Sequence, residues 1–264
     1  MIFFGRKLLF LGAHPDDIEL GCGALIAHVG KICHVMCVTL SDNQENPELK
    51  GLVEQHRRSM AVLGVPAEHV VVRDFPTRHF PRDRQKILEV LYELNRQERP
   101  DLVFAHSRAD MHQDHNVVTE EALRAFRGTT VLGFDVIRSS HGFFPHFLVE
   151  VGEADVARKI EALGAYTTYA DKYYFQPEVT RATLVRNGAL AERSFAEGFD
   201  ILRIVAEFSA LNEAPSKCLP RSAWLEARPG RRAGAACGDR CRPRRRRAPS
   251  SSVPTTRRSI LAVC

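Results

Sequence analysis

No apolar stretch in this 264-residue chain reaches the roughly 20 residues needed to cross a bilayer, and no internal repeat marks a solenoid or propeller. A disulfide framework is missing too. The seven cysteines, an odd number without framework spacing, argue for a reducing compartment. Cys237 and Cys241 have no second pair to complete a structural zinc site. The opening "MIFFGRKLLFLGA" has the outline of a signal peptide, but cleavage there would cut beside His14, and residues 7–11 serve better as a first strand. The expected setting is cytoplasmic. A strong charge bias is also lacking once the formal +5 is located. Residues 212–264 hold 13 basic and 3 acidic side chains, and the other 211 residues hold 24 and 29. The body is mildly acidic, so nucleic acid is not an expected partner.

What is present is an alternation. Short apolar or β-branched runs at 7–12, 34–40, 70–73, 101–105, 131–135 and 147–151 read as strands. Between them, 18–29, 48–63, 84–97, 116–126 and 154–163 carry helical spacing, and Gly21 and Gly23 let the first helix approach the sheet closely. Residues 166–193 are aromatic and stay unassigned, while 194–208 reads as a closing helix. This order predicts an α/β fold: a Rossmann-like, mostly parallel sheet with helices on both faces. Ligands of such sheets bind beyond the carboxyl ends of the strands. The first strand delivers "HPDD" to that rim and the fourth delivers "HQDH".

Those two clusters carry the chemistry. His14 and Asp17, three apart on a strand-to-helix turn, and His115 from another loop make two imidazoles and a carboxylate. That is a normal catalytic zinc set, and it could also hold Fe(II). Asp16 beside them is placed as a general base. His112 could donate a hydrogen bond or proton to a developing oxyanion, and Asp114 could orient one of the imidazoles. Taken alone, "HPDD" reads as a helix cap and "HxxH" as a solvated turn; their arrival at one rim argues against both. Arg78 and His79, on a loop at the same rim, are candidates for a phosphate or sugar hydroxyls.

At "AHPDDIELGCG" (13–23) and "HQDHNVVTEEALRAF" (112–126) the chain resembles the LmbE-like or PIG-L-type deacetylases. The stretches "DFPTRHFPRDRQKIL", "PDLVFAHSRAD" and "FAEGFDILR" are similar to one bacterial branch, so the likeness runs from about Lys7 to Arg203. The resemblance implies a metal-dependent hydrolase that removes acetyl from N-acetylglucosaminyl groups and related amides. It assigns His14, Asp17 and His115 to the metal, Asp16 to the base and His112 to the oxyanion. It also implies a tetrahedral intermediate, with release of acetate and a free amine. Departures fall on the substrate side. Leu52 and Gln55 stand where relatives carry an Arg-x-x-Glu pattern, Asp135 where a glutamate is common, "YTTY" (166–169) in place of a "YxSQ"-like stretch, and Ala191 in place of a glycine.

The expected organisation is a deacetylase domain at 1–211 and a basic, disordered tail at 212–264. The tail's Arg, Ala, Pro and Cys mixture fits a shifted reading frame in a GC-rich gene better than a functional arm, although "PRRRR" (243–247) could bind an anionic surface. The expected activity is zinc-dependent hydrolysis of an acetylated amino sugar or its conjugate. The alternatives are hydrolysis of a non-sugar amide or ester, and a binding module that uses the tail. The sequence leaves homo-oligomerisation open.

Overall fold

The computed structural model describes residues 6–206. The expected tail at 212–264 lies outside them. Strand β1 (Lys7–Gly12) is buried beyond Lys7, and its alternate residues feed two different cores. Leu8 and Phe10 face one side of the sheet, with Cys37, Phe104 and Phe134. Leu9 and Leu11 face the other, with Val38, Val103 and Val131. A strand apolar on both faces needs a helical layer on each, and the chain supplies both. Helices α1 (Asp17–Val29), α2 (Leu52–Val62) and α5 (Glu153–Gly164) cover the first face, while α3 (Phe80–Glu98) and α4 (Gln113–Ala125) cover the second. Phe10 stacks on Phe104 at 4.5 Å between ring centroids.

With β2 (His34–Thr39), β3 (Val70–Val72), β4 (Leu102–His106), β5 (Thr130–Phe134), β6 (Phe147–Glu150) and β7 (Ala196–Arg203), the sheet order is β3-β2-β1-β4-β5-β7-β6. The first five strands in that order are parallel, and β7 runs antiparallel to both β5 and β6. The expected α/β sheet is therefore present and mixed. Its order reverses between β1 and β4, so the connections leaving these two neighbours diverge and open a crevice at their carboxyl ends. "HPDD" and "HQDH" are the segments that leave there.

Gly21 lies against the sheet as its sequence suggests: a Cβ built there would stand 2.3 Å from the Phe134 ring. Gly23 does not; it meets the Lys159 side chain of α5 instead. The expected helix at 48–63 is split into a 3-10 turn, Pro47–Leu49, and α2, with Gly51 at φ 88° between them. The third and fourth helices begin earlier than their apolar periodicity. Pro81 sits in the first turn of α3, and α4 starts at Gln113, so His115 stands on a helix and not in a loop. The unassigned segment 166–193 forms two 3-10 turns and α6 (Pro177–Leu190).

The expected closing helix at 194–208 is wrong. Within it, Ala196–Arg203 form β7, inserted between β5 and β6. Its charged residues at helical spacing misled the pattern: Glu197 is buried, because Lys159 Nζ and the backbone N–H groups of Ala24 and Leu25 satisfy it at 2.7, 2.9 and 2.7 Å. A strand can hold a buried carboxylate when distant elements supply the donors.

Candidate metal centre

The turn after β1 is locked from within. His14 N–H donates to Asp17 Oδ2 at 2.8 Å, and Asp17 opens α1. Asp16 takes the N-cap position at φ 111°, a backbone region that non-glycine residues seldom occupy, and its side chain makes no capping bond. The capping explanation of "HPDD" therefore fails at Asp16. On the other wall His106 ends β4, and His112 caps α4, its Nδ1 accepting the Asp114 N–H at 3.2 Å. His115 follows in the first turn of α4.

The donor atoms converge. His14 Nδ1, Asp17 Oδ2 and His115 Nε2 form a triangle with sides of 3.5, 3.4 and 3.2 Å. A tetrahedral ion with bonds of about 2.0–2.1 Å has ligand-to-ligand edges of about 3.3–3.4 Å. The outer faces of both rings are already engaged. His14 Nε2 lies 3.0 Å from Asp114 Oδ2, and His115 Nδ1 lies 2.8 Å from Asp110 Oδ2. Carboxylates accept only, so these outer nitrogens carry protons, and the inner ones are left to take a cation or a further proton. Three lone-pair atoms facing one point repel unless a cation or a proton lies between them. The donor set fits a metal ion on this count, and carboxylate-anchored imidazoles are the usual support of metal-ligating histidine.

The local electrostatics follow from the same contacts. Burial alone would lower the His14 pKa, but hydrogen bonds and charge from Asp114 and Asp17 outweigh it and raise it to about 9. Asp17 resists the upward push of burial and is held far below the carboxylate range by His115, His106 and His14. Burial, and then the Asp17 charge, raise Asp16 well above its usual value. His112 is pushed down to about 4 by burial and by the neighbouring histidines. It is therefore a neutral imidazole at pH 7, and with Nδ1 occupied its proton sits on Nε2.

Asp16, His112 and Asp114 sit at or beside this cluster, and His79 precedes the helix α3 nearby without a contact to it. Asp114 ties His14 to the loop after β3, accepting the Arg78 N–H at 2.6 Å and the Phe80 N–H at 3.2 Å. Arg78 thus reaches the site through its backbone, held at φ 69°, while its side chain is exposed. Asp135 lies apart. It is half-buried after β5, lines a cavity of about 50 Å³ with Gly21, Lys159 and Asn187, and has an Oδ1 that finds no partner. Burial raises its pKa.

Sequence reasoning missed several contributors. Asp110 holds His115, accepts the His112 N–H at 2.8 Å and takes the Ser139 hydroxyl at 2.9 Å. His106 stacks flat on His115 at 3.9 Å, and its Nε2, which accepts the Ala13 N–H, lies 3.5 Å from Asp17 Oδ2. Their position at the end of a strand next to "HQDH" was the available signal. Arg138 lies over the Tyr174 ring at 5.8 Å, and both interact electrostatically with Asp16. Glu19, two residues past Asp17, joins the buried Tyr166 hydroxyl at 2.5 Å and His56 at 2.9 Å, fastening α1 to α2 and to the segment after α5.

Fold and donor set define a class: a Rossmann-like domain with a candidate mononuclear metal site at its switch point. Comparison gives the likeness. Residues 9–126 match the family model "PIG-L: GlcNAc-PI de-N-acetylase", so this stretch is similar to that family. It is 27% identical over 166 residues to the uncharacterized deacetylase YaiS of Escherichia coli K12, a match covering 60% of this chain and 89% of that one. Among solved structures, the N,N'-diacetylchitobiose deacetylase of Pyrococcus horikoshii matches at TM-score 0.60 and 19% identity, over 78% of this chain and 88% of its own. GalB, the 4-carboxy-2-hydroxymuconate hydratase of Pseudomonas putida KT2440, matches at TM-score 0.58 and 18% identity, over 76% and 99%. A deacetylase and a hydratase share the architecture, so the reaction has to be argued from the site. Among the described residues, no helix is long and apolar enough to cross a membrane.

Proposed function

We propose that the chain is a zinc-dependent N-deacetylase that hydrolyses the acetamido group of an acetylated amino sugar or its conjugate. The observation that carries this reading is the convergence of three lone-pair atoms whose rings are anchored from outside, beside a carboxylate that caps nothing. His14, Asp17 and His115 would hold the ion; Fe²⁺ suits the same donors. When bound, such an ion polarises the amide carbonyl and acidifies water.

The remaining roles belong to the chain. Asp16 takes a proton from the attacking water as its oxygen bonds to the carbonyl carbon. The raised pKa of Asp16 favours that uptake. His112, neutral with its proton on Nε2, donates a hydrogen bond to the oxygen that gains charge. The C–N bond then breaks, and Asp16 passes its proton to the leaving nitrogen, giving acetate and an amine. Asp114 and Asp110 keep His14 and His115 in the tautomers this requires. Arg78, through its exposed guanidinium, is assigned to substrate contact at the rim, and Asp135, which lies apart from the metal cluster, to a more distant part of the substrate side. The catalytic domain spans 1–211.

One observation favours a second reading, hydrolysis of a non-sugar amide or ester with the same machinery. Leu52 is buried in an apolar cluster, and the Gln55 carboxamide is spent twice on Thr168, at 2.7 and 3.0 Å. Neither can supply the charged pair of the Arg-x-x-Glu pattern. The test is acetate release from a panel of N-acetylglucosamine conjugates and simple acetamides, by chelator-stripped protein with and without added Zn²⁺. Zinc-dependent release from the sugars supports the first reading. Turnover of simple acetamides alone selects the second, and zinc-independent release removes the metal from both.

A further inference from the structure

A second site lies on the outer flank of α4, away from the metal centre. Five arginines from three elements and two loops line a shallow groove of about 580 Å³: Arg84 of α3, Arg108 of the β4–α4 loop, Arg124 of α4, Arg127 just after it and Arg203 of β7. That volume falls in the range of small-ligand sites, about 300–1,000 Å³. Glu120 is the acidic residue in the lining.

Three of the guanidiniums are held in advance. Glu121, wholly buried, receives Arg84 Nε at 2.8 Å on Oε1 and Arg124 Nη1 at 3.0 Å on Oε2. Arg203 Nη1 donates to the Leu123 and Phe126 carbonyls at 2.8 and 3.2 Å, at the end of α4. The other two, Arg108 and Arg127, are exposed and make no hydrogen bond or ion pair among the described residues. Guanidiniums ordered beforehand lose little entropy on binding, and each fork fits two oxygens of a phosphate.

We propose that this groove binds a diphosphate group. Five arginines against Glu120 and Glu121 leave a local charge of +3. Pyrophosphate, with about three negative charges at neutral pH, neutralises it, whereas one orthophosphate does not. The source is either free pyrophosphate or the diphosphate of a nucleotide. This assignment is independent of the deacetylase reading, since none of the five arginines contacts the metal centre.

The experiment is calorimetric titration of the full chain at low salt with inorganic pyrophosphate, uridine diphosphate and orthophosphate. The Arg-rich segment at 243–247 is present in every variant, so differences between variants report the groove alone. The Arg108→Ser/Arg127→Ser variant replaces two exposed side chains and should weaken pyrophosphate at least tenfold. Glu120→Gln, which removes a negative charge from the lining, should tighten it about threefold. Uridine diphosphate binding more tightly than pyrophosphate would identify a nucleotide as the source, and equal affinities the free anion. Equal binding to the parent and the arginine variant overturns the proposal, as does orthophosphate binding as well as pyrophosphate. A single-stranded oligonucleotide that loses affinity in the variant while pyrophosphate fails to titrate also overturns it, in favour of nucleic acid.

Discussion

Two of the buried charge clusters that helix α1 touches are completed differently. At the Glu197 end every charge has its opposite inside the protein. Lys159 Nζ lies 2.7 Å from the carboxylate and donates at 2.7 Å to the Leu20 carbonyl, and the Ala24 and Leu25 N–H groups finish the carboxylate. At the Asp17 end the imidazoles are satisfied on their outer faces only, and three lone pairs point inward. Both clusters are almost fully buried, so burial does not tell them apart. The difference is which acceptor atoms face one another across a shared point. A closed cluster holds the fold together, and an open one calls for a cation.

The sharpest way to break that contrast is to remove one inward lone pair. His115→Ala should lose zinc and reduce acetate release to background, a fall of more than about a thousandfold, with circular dichroism of the chelated variant checking that the fold is kept. Metal analysis showing one zinc per chain in this variant would return His115 to a structural role. Asp16→Asn keeps the shape and removes the proton acceptor, so turnover should drop about 10²–10⁴-fold with zinc still bound. Undiminished turnover would mean that another group is the base.

The closed cluster should respond in the opposite currency. Lys159→Met strands a buried carboxylate and should cost about 3–5 kcal/mol of stability, read by denaturant unfolding. The rate per folded molecule should stay unchanged. Adding Glu197→Gln removes the stranded charge and should recover part of the loss. If the single variant unfolds like the parent, the ion pair does not secure α1. A smaller effect is expected at the support of the open cluster. Asp110→Asn leaves His115 in place but weakens its outer anchor, which should reduce zinc affinity about 10–100-fold by competition with a chromophoric chelator.

The two clusters also differ in how well the sequence announced them. His14, Asp16, Asp17, His112, Asp114 and His115 lie in two short segments leaving adjacent strands, so local text and strand order suffice to bring them together. Asp110 and His106 belong to the same segment but resemble loop filler until the hydrogen bonds are seen. Glu197 was illegible for a physical reason: its donors come from 38 and 173 residues away. A strand carrying such a residue looks amphipathic at helical spacing, so β7 was expected as a helix. The parallel half of the sheet was legible because its strands are apolar runs buried on both faces. The β6–β7 edge depends on long-range pairing that periodicity does not encode.

The smallest expected effect concerns acidity. In chelator-stripped protein a proton on His14 Nδ1 can bridge to His115 Nε2 at 3.2 Å, in the place the cation would take. The raised His14 pKa, about 9, means that this proton is held at neutral pH. The folded value lies above the ordinary one near 6.5, so its stabilising contribution to the stripped protein is complete below about pH 6.5 and fades as pH rises through about 9. Zinc competes for the same nitrogen. Uptake should release a proton, and apparent affinity should climb by up to about tenfold per pH unit between pH 7 and 8, levelling off above 9. Calorimetric titrations in buffers of different ionisation enthalpy measure that proton directly. Metal uptake without proton release at pH 7 would mean that His14 is already neutral, and that its carboxylate neighbours do not hold the charge which distinguishes this end of α1 from the other.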